Sequence, residues 1–184
     1  MQATERYSVP AIGLHWILFL IIAASWALGF YTADLPFSPQ KLKYVSWHKW
    51  AGVTIFVLAA LRLAWRLAHP PPPLPSMPAW QLRGATAIHA LLYAFMLVIP
   101  ITGWLFSSAS GVPTVWFGLW QLPDLVDRNK AAADLLRTVH ATLNWTFAAI
   151  VLGHVAFALK HHFVDRDDVL RRMLPFLRSR SGLS

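Results

Sequence analysis

Five histidines, His15, His48, His89, His140 and His154, stand inside long stretches of chain built almost wholly from apolar residues. A charged side chain at the centre of a bilayer costs about 2.5–3.5 kcal/mol or more, and ionisable residues at such positions usually serve function. Those stretches contain no Asp or Glu, the common partner of histidine in a proton pathway. Neutral imidazole as a metal ligand needs no carboxylate, so metal coordination accounts for the five better than proton transfer does.

His140 and His154 are 14 residues apart, which on a helix is about 21 Å of rise and only about 40° of rotation. One helix face therefore presents an imidazole near each membrane surface. Depth along the other segments pairs His48 with His140 at one surface. At the opposite surface His154 has two candidate partners, His15 and His89, and spacing does not choose between them. Two histidines from facing helices suit a six-coordinate haem iron whose flat ring fills the bundle interior, whereas zinc would normally bring cysteine or carboxylate ligands and a water. Gly13, Gly52 and Gly153 lie beside these histidines and leave room for a planar guest, although close helix packing uses glycine equally often.

The elements that carry the histidines follow from composition. Of 184 residues, 57% are apolar and 13% charged, with ten Trp and no Cys. Soluble domains carry about 25% charged residues, so a water-soluble globule and a disordered chain are both excluded. The lack of cysteine removes disulfides, iron–sulfur clusters and covalent haem attachment. Apolar runs at about 11–31, 45–66, 86–106 and 138–160 each match the ~20 residues needed to cross hydrocarbon. The expected fold class is all-α: a single membrane domain over 1–184, a four-helix bundle enclosing two b-type haems, with a basic tail at 161–184.

Ten of the sixteen basic residues (Arg6, Arg62, Arg66, Arg83, Lys160 and five beyond it) fall on the side of the termini. Six (Lys41, Lys43, Lys49, Arg128, Lys130 and Arg137) fall on the other. The positive-inside rule then puts both termini in the cytoplasm, and the tail against anionic lipid. The net charge of +8 comes with no nucleic-acid-binding motif, so no nucleic-acid partner is expected. The prolines of 69–78 form a stiff linker, and Trp116, Phe117, Trp120 and Leu122 suit a connection lying at the outer membrane interface.

In order along the chain stand Gly13-Leu14-His15-Trp16, Trp47-His48 with Gly52, the proline-rich linker, and Ala87-Ile88-His89-Ala90. Trp116-Phe117-Gly118-Leu119, Val139-His140, and Gly153-His154 leading to Lys160-His161-His162 follow. Over roughly residues 7–176 this series resembles the bacterial cytochrome b561 family of four-helix, two-haem membrane cytochromes. The resemblance implies His15 with His154 as axial ligands of the inner haem and His48 with His140 as those of the outer haem, leaving His89 outside the ligand set. It further implies a stand-alone superoxide oxidase in the bacterial inner membrane, taking electrons from superoxide outside and passing them to ubiquinone. The six basic residues of the outer side would steer the anion, against four acids there.

His161, two turns beyond His154 on nearly the same face, is assigned to the quinone, for which the family also places a histidine. Arg62 and Arg66 are assigned to the inner haem propionates, with lipid phosphate as the alternative. A second function class is a cytochrome b anchor that takes electrons from a partner dehydrogenase, hydrogenase or periplasmic cytochrome. A third is a haem-free transporter using its histidines for protons.

Overall fold

A computed structural model describes residues 6–72 and 78–174. Four long helices dominate it: α1 (Val9–Ala33), α2 (Pro39–Ala68), α3 (Ala79–Ala109) and α4 (Lys130–Lys160). All four are long and apolar enough to cross a membrane. Each contains the span expected from sequence and runs past it, because local capping rather than the hydrocarbon boundary ends a helix. Ser38 accepts the Lys41 N–H at 3.2 Å ahead of α2 and Asn129 accepts the Ala132 N–H at 3.0 Å ahead of α4, while Pro10 and Pro39 occupy first-turn positions where a missing N–H costs nothing.

Consecutive helices pack as neighbours, α1 on α2, α2 on α3 and α3 on α4. The interior is thin. Leu18, Ile55, Ala59, Met96, Ile99 and Phe147 form its buried cluster, while Leu20, Leu61, Leu152 and Phe157 face outward. This apolar exterior over a modest core suits lipid as the surrounding solvent. Helices α1 and α4 meet through long side chains: the Trp26 indole N–H donates to Asn144 Oδ1 at 3.0 Å, and the Trp26 and Phe30 rings contact Phe147 and Trp145.

The two ends of the bundle are finished differently. At one, which we term the hairpin end, residues 110–129 link α3 to α4 through two short antiparallel strands, β1 (Val115–Trp116) and β2 (Trp120–Gln121). Gly118, at a φ of +73°, makes the turn. The Trp50 indole donates to the Val115 carbonyl at 2.6 Å and Lys49 Nζ to the Val112 carbonyl at 3.1 Å, fastening the hairpin to α2. Trp116 turns inward to Thr54, whereas Phe117, Leu119 and Trp120 are exposed, so the aromatic connection is an ordered cap with an apolar outer edge.

At the other, the cap end, α4 continues into a π-helical turn (His161–Asp165), stops at Arg166 in a left-handed conformation, and returns through a short 3-10 turn (Arg171–Met173). The Trp16 indole donates to the Met173 carbonyl at 2.8 Å, tying this return to α1. Part of the expected basic tail is therefore folded against the bundle. Its remainder, 175–184, and most of the proline linker, 73–77, lie outside the described residues.

Candidate functional site

Every intramembrane histidine is brought to one of the two ends. At the hairpin end the His48 and His140 rings lie 6.3 Å apart, centre to centre, at 89°. They flank a small pocket, about 400 Å³ with its open mouth included, whose lining includes Ser25, Trp26, Gly52 and Asn144. His48 Nδ1 donates to the Ser25 carbonyl at 2.9 Å and contacts Ser25 Oγ at 3.2 Å. His140 Nδ1 donates to the Ile99 carbonyl at 3.2 Å and contacts Thr102 Oγ1 at 3.0 Å. A carbonyl oxygen only accepts, so both rings carry their proton on Nδ1. The lone pair at Nε2 is left for a metal in each.

These two contacts share one construction. Each accepting carbonyl precedes a glycine by four residues, Ser25 before Gly29 on α1 and Ile99 before Gly103 on α3. A Cβ at Gly29 would stand 3.3 Å from His48 Cε1, and one at Gly103 only 2.9 Å from His140 Cε1. The missing side chains let an imidazole lie against the neighbouring helix backbone. By contrast, a Cβ at Gly13, Gly52 or Gly153 would meet nothing within 4 Å. The glycines picked out in sequence border open space, and those that seat the rings are others.

At the cap end three rings converge. His154 lies 6.4 Å from His15 at 66° and 5.5 Å from His89 at 71°. Arg62, its guanidinium 5.6 Å from the Tyr93 ring centre, is within electrostatic reach of all three, and Arg66 of His89. A cleft of about 860 Å³, its mouth included, opens between α3 and α4 and is lined by Trp80, Gly84, His89, His154, Lys160 and His161 among others. The ring of His161 donates from Nδ1 to Asp167 Oδ2 at 2.7 Å, with Asp165 Oδ2 at 3.2 Å. Neither acid was singled out in sequence. The run Val-Asp-Arg-Asp-Asp carried the signal, but only the turn after α4 folds it back onto His161.

The pattern described as Prokaryotic cytochrome b561 matches residues 6–176. The chain belongs to that family. It is therefore a multi-pass bacterial membrane protein of electron transfer, of a family whose redox group is b-type haem. Among similar proteins, Cytochrome b561 homolog 2 of Escherichia coli (strain K12) is 35% identical over 178 residues, 92% of each chain. Cytochrome b561 homolog 1 of the same organism is 30% identical over 173 residues, covering 93% of this chain and 98% of that one. A Yersinia pestis protein named Probable superoxide oxidase CybB is 31% identical over 178 residues, 93% of this chain and 97% of that one.

The residues of this cytochrome b561 chain fit the family's haem. A metal–imidazole bond is about 2 Å long and the ring centre lies about 1 Å behind the bonding nitrogen, so two imidazoles that would hold one iron between them would have ring centres about 6 Å apart. The 6.3 and 6.4 Å separations match that span, and the fixed Nδ1 protons at the hairpin end supply the required tautomer. Among the six basic residues of that end, Lys49 is bound to loop carbonyls, Lys130 to Asp134 at 2.9 Å, and Lys43 stands over Trp47. Arg137, one turn before His140, is exposed.

Proposed function

We propose that this chain is a superoxide:ubiquinone oxidoreductase of the inner membrane, with both termini cytoplasmic and two haem b groups. His48 and His140 are the axial ligands at the outer, hairpin end. His15 and His154 are those at the inner, cap end. The observation that carries this reading is the pair of histidine couples toward opposite ends of α4, each with ring centres spaced so that the two imidazoles could hold one iron between them. The closer His89–His154 approach of 5.5 Å is short for that span, which favours His15 as ligand and leaves His89 beside the site. Bound there, haem supplies one-electron redox chemistry.

Features of the protein's own residues support a place for each substrate. Arg137, one turn before His140, offers an exposed positive charge suited to attracting a small anion. Ubiquinone occupies the inner cleft, where His154 and His161 line a single opening and the surrounding apolar walls accept a lipophilic ring. Arg62 and Arg66 stand ready at the same level for the inner haem propionates. That a Yersinia pestis relative is named Probable superoxide oxidase CybB supports superoxide as the donor.

The reading is tested by stopped-flow absorbance after a pulse of superoxide, with and without ubiquinone, with haem content measured on the same sample. Two haems per chain, reduced by superoxide and reoxidised by quinone, are expected. Two haems that ignore superoxide yet respond to ubiquinol would remove superoxide as donor and leave a quinone-linked cytochrome b serving a protein partner.

A further inference from the structure

Quinone reduction consumes protons as well as electrons, and the cap end contains a device for delivering them. His161 lines the cleft and is held from behind by Asp167, whose Oδ2 accepts the His161 Nδ1–H at 2.7 Å. Asp167 is itself fixed twice. Its Oδ1 accepts the Val169 N–H at 3.0 Å and its own N–H donates to the His161 carbonyl at 3.1 Å. The π-helical turn and the left-handed Arg166 create this return of the chain. Non-glycine residues with positive φ and π-turns inside helices both concentrate at functional sites. Asp165 is the second acid nearby, but Lys160 Nζ engages both its oxygens at 2.9 and 2.6 Å. That leaves Asp167 as the dedicated partner of the imidazole.

Resting on the assignment of quinone to this cleft, we propose that Asp167 is the positioning residue of a His161 proton shuttle. With Nδ1–H committed to Asp167, Nε2 is the only ring nitrogen that exchanges protons with the cleft. The balanced reaction is two superoxide anions, one quinone and two protons giving two dioxygen and one quinol. Each proton enters the imidazole at Nε2 from water at the cap surface. The Nε2–H bond then breaks as an O–H bond forms on the quinone oxygen, and the Nδ1–H never moves. Without Asp167 the ring is free to place its proton on Nε2 and present Nδ1 elsewhere, and part of the population is then wrongly protonated.

The test uses the intact haem-loaded protein and follows haem reduction by a short-chain ubiquinol, the reverse reaction, which needs no superoxide. Asp167→Asn is expected to slow the maximal rate about tenfold, a part of the roughly 10²–10⁴-fold that a positioned acid–base group contributes, with little change in the quinol concentration for half-maximal rate. The solvent deuterium isotope effect should rise, haem content and spectrum should stay those of the parent, and Asp167→Glu should restore most of the rate. Nitrogen NMR of the reduced protein should report an Nδ1–H tautomer for His161 in the parent and a mixture in Asp167→Asn. Asp165→Asn is expected to lose less than Asp167→Asn. A parent-like rate and isotope effect in Asp167→Asn, with His161→Gln impaired, would overturn the shuttle alone. Parent-like quinol kinetics in His161→Gln would overturn the cleft assignment itself, and haem loss in Asp167→Asn would show a structural role instead.

Discussion

The two ends of α4 carry the same pair of residue types and treat them differently. At the hairpin end both imidazoles are seated on helix backbones, each with a carbonyl on Nδ1 and a glycine against the ring. At the cap end three imidazoles meet near two arginines and an open cleft, and among the described residues no carbonyl hydrogen bond of that kind holds His15 or His154. A site that exchanges electrons with a small anion gains from rigidly held ligands, whereas one that must also admit a bulky substrate and protons gains from a roomier cleft and a proton-exchanging side chain beside it. On the proposed function the hairpin end suits the first task and the cap end, with the larger of the two cavities, the second.

The largest way to separate the ends is to remove a ligand from one. His48→Ala or His140→Ala is expected to lower haem content from two per chain to one, measured by extracted-haem absorbance against protein. His15→Ala should do the same for the cap-end haem, whereas His89→Ala should retain both. Loss of a haem in His89→Ala with retention in His15→Ala would exchange their roles.

The next effect acts through the glycines. Gly103→Ala would put a methyl group 2.9 Å from His140 Cε1, an overlap in the class that costs about 1–3 kcal/mol, so hairpin-end haem retention should weaken about tenfold or more. Gly29→Ala, at 3.3 Å from His48, should weaken it less, and a haem titration of the apoprotein ranks the two. Smallest is Thr102→Val. Its hydroxyl shares the His140 Nδ1–H with the Ile99 carbonyl, and such intramembrane hydrogen bonds average about 0.6 kcal/mol. Losing an acceptor makes the imidazole a weaker donor to oxidised iron. A potentiometric titration should show the hairpin-end potential rise by about 25 mV, that energy expressed for one electron, with the cap-end potential unmoved.

Much of this division is legible in the sequence, for a physical reason. Histidine within hydrocarbon is rare enough that position alone marks it, and helical geometry turns the interval from His140 to His154 into one site near each surface. The four helices follow from hydropathy alone. What sequence leaves open depends on which backbones the rings touch. Gly29 and Gly103 resemble any packing glycine until His48 and His140 are seen against them. The choice between His15 and His89 turns on ring separations that differ by less than 1 Å. Asp167 reaches His161 only because the chain reverses at Arg166, a turn for which no glycine or proline gives warning.

Whether the two ends serve different substrates is tested most directly by His140→Ala. In this variant, stopped-flow absorbance of the remaining haem would be followed after mixing with ubiquinol and, separately, after a pulse of superoxide. Reduction by ubiquinol at close to the parent rate, with little or no reduction by superoxide, is expected. Rapid reduction by superoxide together with loss of the ubiquinol response would place the substrates at the opposite ends and contradict it.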